Sequence, residues 1–339
     1  MAEGIYCMRL FGLALILIAF AGCSGAHAES SQAKLVGTLW WVTPSDAEQP
    51  LEFWQEELDH IEALGMDLIV LNGPFVDAPF LDTLLPETDR RGMRVYVDTL
   101  QPGEWWTKED PAEEIARAKL RIEQLHAHSE QHASFKGWYI PYELYVFWDE
   151  QAALIKRLYG EISAHCKRIS PDRKVMISPF FILDRSGVLG EFRWADPDEY
   201  RDFWTDVLTH AGDIDIVALQ DSGEHLSFYT IDERRPFFEA MKAACEAAGT
   251  TLWANVESGE LHVKDLDAYA ERFGEGTHVN DPRMVPYWRG VPAERFAEKL
   301  RLAREFSPTA ITWGYREYIR PGLGSEAELL HAAYREILR

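Results

Sequence analysis

Cysteine is scarce in this 339-residue chain, and the four present lack the short paired spacing of a zinc or redox motif. Cys7 and Cys23 fall near the N-terminus. Cys166 in "ISAHCKRIS" and Cys245 in "MKAACEAAG" fall in helix-like segments and read as buried free thiols. Positive charge is also short: 34 Lys and Arg stand against 56 Asp and Glu, a formal net charge of −22. Such a surface repels phosphate backbones, which argues against a nucleic-acid partner and leaves neutral or cationic ligands open. The chain has no HExxH, no GxSxG elbow, no P-loop and no His-x-His on its first strand. Zincin, serine-elbow and nucleotide chemistries therefore have no signature here, and no cofactor is implied. Scattered carboxylates still leave room for calcium.

Long apolar runs are scarce too. The run at residues 10–22, inside "MRLFGLALILIAFAGC", is too short to span a bilayer comfortably and has the length of a signal-peptide core. "FAGC" is similar to a bacterial lipoprotein box, which implies lipidation at Cys23, with plain secretion as the alternative. Ser24 then favours the outer membrane by the same analogy. Residues 1–7, "MAEGIYC", place Glu3 where a signal should be basic, so Met8 is the expected start. The expected division is a leader over 1–23, a small polar tether over 24–33 ("SGAHAESSQA"), and one domain over 34–339.

What the chain has in plenty is alternation. Apolar strand-like runs recur: "LVGTLWWV", "MDLIVLN", "MRVYVDTL", "FKGWYIPYEL", "KVMISPFF", "IDIVALQD", "TLWANVE" and "AITWGY". Amphipathic helices such as "PLEFWQEELDHIEALG" separate them, and the Gly-Met junctions at 65–66 and 92–93 stop helices straight before strands. About eight βα units in roughly 300 residues predict an α/β fold, a single-domain (β/α)₈ TIM barrel. The chief rival, a doubly wound sheet, lacks its glycine-rich first turn. Two long insertions, at 182–200 and 258–290, follow strand C-termini, where barrels build their sites.

Polar residues at those C-terminal ends point into the mouth. The candidates are Trp40, with Trp41 and Thr43, on strand one; Asn72 on strand two; Asp98 on strand three; and Tyr142 and Glu143 on strand four. Gln220 and Asp221 end strand six, Asn255 and Glu257 strand seven, Trp313 and Tyr315 strand eight. Glu143 and Glu257 come from strands across the mouth from each other. Paired carboxylates are what glycosidases use, about 5–5.5 Å apart in retaining enzymes and roughly 6.5–9.5 Å in inverting ones. The rings of "GWYIPYELYVFW" would raise the proton affinity of Glu143 by excluding water, and Trp and Tyr faces stack on sugars. Either glutamate could instead cap a helix or pair with an arginine. Asp98 and Asp221 could bind substrate hydroxyls, hold Tyr or Arg side chains, or cap a helix. Trp54 and Trp204 read as core. Most histidines read as helical and solvated, while His225 and His262 fall in loops near strand ends.

"GTLWW" at 37–41, "LDHIEALGMDLIVLN", "FKGWYIPYEL", "LWANVE" and "ITWGYREYIRP", in this order over most of residues 35–320, resemble a family of bacterial proteins known as domain of unknown function 4434. That resemblance implies a glycoside-hydrolase-like TIM barrel. More distantly, the strand-four and strand-seven glutamates are similar to those of retaining glycosidases. This implies Glu143 as acid/base, Glu257 as nucleophile and Trp313 as a substrate-stacking aromatic. The chain departs from that pattern at Tyr142, where Asn is usual, and at Gln220-Asp221, where a Tyr often touches the nucleophile. The expected function is hydrolysis of an oligo- or polysaccharide in the cell envelope. The alternatives are a non-catalytic carbohydrate-binding lipoprotein on a degenerate barrel, and an envelope scaffold.

Overall fold

The computed structural model describes residues 34–99, 110–190, 193–221 and 225–339. The leader, the tether, Cys7 and Cys23 lie outside the described residues. The first half runs β1 (Lys34–Trp41), α1 (Pro44–Ala47), α2 (Leu51–Ala63), β2 (Leu68–Asn72), α3 (Ala78–Arg91), β3 (Arg94–Asp98), α4 (Ala112–Ser129) and β4 (Phe135–Ile140). Then come α5 (Asp149–Ile169), β5 (Lys174–Ile177), α6 (Pro197–Ala211), β6 (Ile216–Gln220), α7 (Arg235–Ala248) and β7 (Thr251–Asn255). The last part holds β8 (Gly259–Leu261), α8 (Leu266–Phe273), β9 (Trp288–Gly290), α9 (Ala293–Phe306), β10 (Thr309–Thr312) and α10 (Ser325–Ile337).

Eight parallel strands close into a barrel in the order β1-β10-β7-β6-β5-β4-β3-β2, as the alternation of the sequence predicts. The short strands β8 and β9 pair antiparallel outside it, within the insertion that follows β7. The helix stops fall where the Gly-Met junctions put them: Gly92 caps α3 in the left-handed region at φ 69°, and β3 begins two residues later. At the other end of a helix, Asp196 caps α6 with a reciprocal bond from its own N–H to Glu199.

Two apolar layers form the core. Leu39, Leu68, Val70, Tyr96, Tyr139, Met176, Ala218 and Ile311 fill the barrel interior. A larger layer between strands and helices includes Trp54 and Trp204, both at most 1% exposed. Cys166 and Cys245 are buried and free. His165 corrects the reading of solvated histidines, because its helix turns it inward to 2% exposure.

Gly137 is required at the foot of β4. A Cβ there would stand 1.9 Å from the Lys174 carbonyl oxygen. The β3–β4 register slips at the same place, pairing Val95 with Phe135 and Tyr96 with Gly137. The slip absorbs one residue and sets the parity that carries Tyr139 inward.

Candidate active site

The chain leaves the ladder at Ile140 and stays extended past Pro141, whose missing N–H costs nothing beyond the strand end. Side chains of one parity anchor outward. Trp138 donates to Ser170 Oγ at 2.7 Å, and the Tyr142 hydroxyl reaches Glu114 Oε2 at 3.4 Å. From α5, Tyr159 donates to the Tyr142 carbonyl at 2.5 Å, and the Tyr145 hydroxyl accepts from Ala195 N–H at 2.6 Å. Pinned on that side, the segment presents Glu143 to the mouth. There Tyr139, of the same parity, donates to Glu143 Oε1 at 2.6 Å.

Glu143 meets solvent on its open side. Protein encloses the rest, and the water lost there raises its proton affinity above the ordinary carboxylate value. Hydrogen bonds from Tyr139 and Gln220 oppose the rise, while the charge of Glu257 adds to it. Solvent on the open side limits the rise. Gln220 is itself oriented by donating to the Ser178 carbonyl at 2.9 Å.

Glu257, just past β7, is only 1% exposed. Its main chain is held from both directions. Its N–H donates to Asp221 Oδ1 at 2.9 Å, and Lys299 from α9 donates to its carbonyl at 2.6 Å. Lys299 and Asp221 pair with each other at 3.2 Å, both side chains at most 2% exposed. Behind them Glu260 binds Arg295 at 2.8 Å, with Arg234 and Lys299 each 3.7 Å away. Arg234 also donates to the Asp221 carbonyl at 2.7 Å. Buried charges are tolerable only when paired this fully.

The carboxylate of Glu257 itself contacts His225 Nδ1. His225 holds a left-handed backbone, φ 61°, unusual for a residue with a Cβ. Its ring lies 5.0 Å from Trp288 and 5.5 Å from Trp313. Tyr318 closes the wall, 6.0 Å from Trp313 and 6.5 Å from Trp288, the latter pair nearly parallel. Tyr318 arrives on a single π-helical turn, Tyr315–Ile319, introduced by Gly314 at φ 95°. It packs on the backbone of Gly259, where any Cβ would stand 2.3 Å from its ring.

The remaining candidates divide by parity. Gln220, Asn255 and Trp313 join the mouth, Asn255 donating to Ser178 Oγ at 3.2 Å. Asn72 ends β2 at 4% exposure. Trp40 does not reach the mouth. It faces outward, with no exposure, against Trp54 and Tyr315; Trp41 carries the inward parity of Leu39. Tyr142 and Tyr315 are likewise in the outer layer. Asp98 is fully buried, accepting from Gly73 N–H at 2.8 Å and pairing with Arg121 at 2.7 Å. Asp221 serves Glu257 from behind. Both acids therefore hold scaffold atoms where substrate contact was one expectation. Trp288 and Tyr318 are mouth residues that strand-end reading did not single out, and His225 was noted only as a loop histidine near a strand end. Their signal was only that they sit in or beside long post-strand segments.

This arrangement can bind a sugar ring on aromatic faces and set two carboxylates against it, Glu143 with its proton affinity raised. Among the described residues, no group of three or more His, Cys, Asp or Glu side chains is gathered as a metal site would need. No described helix is long and apolar enough to cross a membrane.

The family model of a domain of unknown function, DUF4434, matches residues 35–323. No curated protein matches the sequence. Among solved structures, a Bacteroides thetaiotaomicron protein provisionally named as an alpha-L-fucosidase is similar at TM-score 0.70 and 19% identity, covering 98% of this chain and 99% of that one. The endo-beta-1,4-mannanase of Thermotoga petrophila is similar at TM-score 0.56 and 9% identity, over 91% of this chain and 77% of that one. A GH10 endoxylanase from a sugarcane soil metagenome is similar at TM-score 0.53 and 10% identity, over 91% and 97%. At these identities the likeness is one of fold: a barrel of the kind that glycosidases use.

Proposed function

This chain belongs to the DUF4434 family, and we propose that it is a retaining glycoside hydrolase acting on an oligo- or polysaccharide. Glu143 is the acid/base: it protonates the leaving oxygen and then draws a proton from water. Glu257 is the nucleophile that attacks the anomeric carbon. The observation that carries this reading is the pair itself. Two carboxylates from β4 and β7 share one mouth, one with its proton affinity raised by enclosure and by the charge of the other. Trp313 and Trp288 supply the stacking faces. Cys23, lipidated after cleavage, would tether the barrel to the cell envelope.

The test is turnover of a panel of aryl glycosides and polysaccharides. Glu143→Gln and Glu257→Gln should each remove activity while thermal unfolding stays cooperative. The first-formed product should keep the anomeric configuration of the substrate, read by proton NMR. Full activity in both variants, or an inverted product, defeats the mechanism.

One observation favours a second reading. Glu257 is almost wholly shielded and already touches His225. A degenerate barrel that only binds carbohydrate would look the same. It requires sugar affinity that survives both substitutions, with no product formed by the wild type.

A further inference from the structure

Beside the mouth, a cavity of about 360 Å³ is lined by Ser227, His262, Val263, Lys264, Ala268 and Arg272. In a chain of net charge −22, its lining holds, among the described residues, two permanent cations and an imidazole, and no carboxylate. The acids of the same segment are engaged elsewhere or on other turns. Asp265 caps α8 by accepting from Ala268 N–H at 2.8 Å and touches Lys264 only at 3.4 Å, while Asp267 and Glu271 do not line the cavity. Arg272 stacks on Tyr287, its guanidinium carbon 4.9 Å from the ring centroid, which fixes the cation without neutralising it.

Two of the cavity's lining residues are joined through the backbone to the segments that carry the aromatic side of the mouth. Ser227 lies two residues after His225, and its N–H donates to the Leu261 carbonyl at 3.1 Å. His262 lies five residues after Glu257, at most about 17 Å of extended chain. Its N–H donates to the carbonyl of Tyr287, the residue before Trp288. The cavity's lining and the Trp288 face are thus held close in the fold, within reach of an oligosaccharide of a few units.

We propose that the cavity is a subsite for an anionic sugar, one bearing a carboxylate or a sulfate, so that the substrate is an acidic oligo- or polysaccharide. The inference rests on the glycosidase reading for the direction of the chain, and it deepens that reading by naming the substrate class. Lys264 and Arg272 supply charge-assisted hydrogen bonds to the anion, and Ser227 and His262 supply polar contacts at its rim. The negative surface elsewhere repels acidic chains that do not dock here, which makes the subsite a determinant of register as well as affinity.

The test measures binding by calorimetry on the Glu143→Gln protein, so that turnover does not interfere. The probes are a uronic-acid tetrasaccharide, its carboxyl-reduced neutral counterpart and a sulfated neutral tetrasaccharide. At least one charged probe should bind about tenfold more tightly than the neutral one, and that advantage should shrink as salt is raised. Whichever charged probe binds names the anion. Adding Lys264→Ala and Arg272→Ala should remove the advantage and leave affinity for the neutral probe unchanged. Both side chains are exposed, so unaltered thermal unfolding serves as the control for folding. Equal affinity for neutral and charged probes overturns the subsite but leaves the glycosidase reading standing. An advantage that survives the double substitution, or no binding of any probe, also overturns it. Hydrolysis of neutral chains lost in Glu143→Gln separates the two readings independently.

Discussion

The ends of β4 and β7 carry the same functional group to the same mouth by opposite constructions. Glu143 is held through its side chain, by Tyr139 and Gln220, and stays open to water. Glu257 is held through its main chain, by Asp221 and Lys299, and is shut away from water. The difference suits two tasks. A proton donor must exchange with solvent and needs an adjustable proton affinity. A nucleophile needs a fixed position and a stable charge.

The comparison can be sharpened first at the acids themselves. On the proposed reading, Glu257→Gln lowers kcat by about 10⁵-fold on every substrate. Glu143→Gln lowers kcat/KM by roughly 10²–10⁴-fold, and that loss shrinks on aryl glycosides whose leaving group needs no protonation, while kcat stays low because the second step still lacks its base. Identical losses across leaving groups in both variants would break the asymmetry. Next is the clamp. Lys299→Met leaves Asp221 and Glu260 facing only Arg234 and Arg295, and should cost about 3 kcal/mol of stability in denaturant titration. A cost well below 1 kcal/mol would show that the main-chain grip is not what fixes β7.

A third acid is buried outside the mouth. Glu57 on α2 is 4% exposed, with Arg320 at 3.6 Å and the Tyr315 hydroxyl at 3.4 Å. Burial pushes its pKa from the ordinary 4.5 up to about 7. Because the folded value is the higher one, its stabilising contribution is complete below pH 4.5 and lost as pH rises through 7. The loss is up to about 3 kcal/mol. Glu57→Gln should flatten that part of the stability profile; a slope that persists assigns it to another group. The smallest effect belongs to Tyr139→Phe. Its hydroxyl favours charged Glu143, so its removal should move the basic limb of kcat/KM upward. A downward shift would mean that the hydroxyl stabilises the protonated form instead.

Sequence pattern carried the barrel because each strand and helix is specified locally, by apolar runs, Gly92 and Asp196. It also put Glu143, Glu257 and Trp313 at strand ends, and the structure brings those three side chains to the mouth. It failed where one residue of parity decides. Trp40 and Trp41 are the same letter, and only the sheet shows which faces inward. Asp98 and Asp221 were ambiguous because their partners, Arg121 and Lys299, lie on helices with no local spacing that ties them to the acids. His225 was muted by its setting, since a loop histidine beside the β8–β9 pair has no periodic signal.

The grip on residue 257 has one more consequence. Asp221 and Lys299 hold its amide and carbonyl, atoms that every amino acid except proline presents alike. The strand end is thus a socket indifferent to the tool it carries. For any side chain that fits the enclosed space beside His225, the backbone is delivered to the same spot facing the same aromatic wall. Chemistry here is interchangeable in a way that architecture is not. A lineage, or an engineer, can retool this mouth by altering one codon and leave the rest of the barrel as it stands.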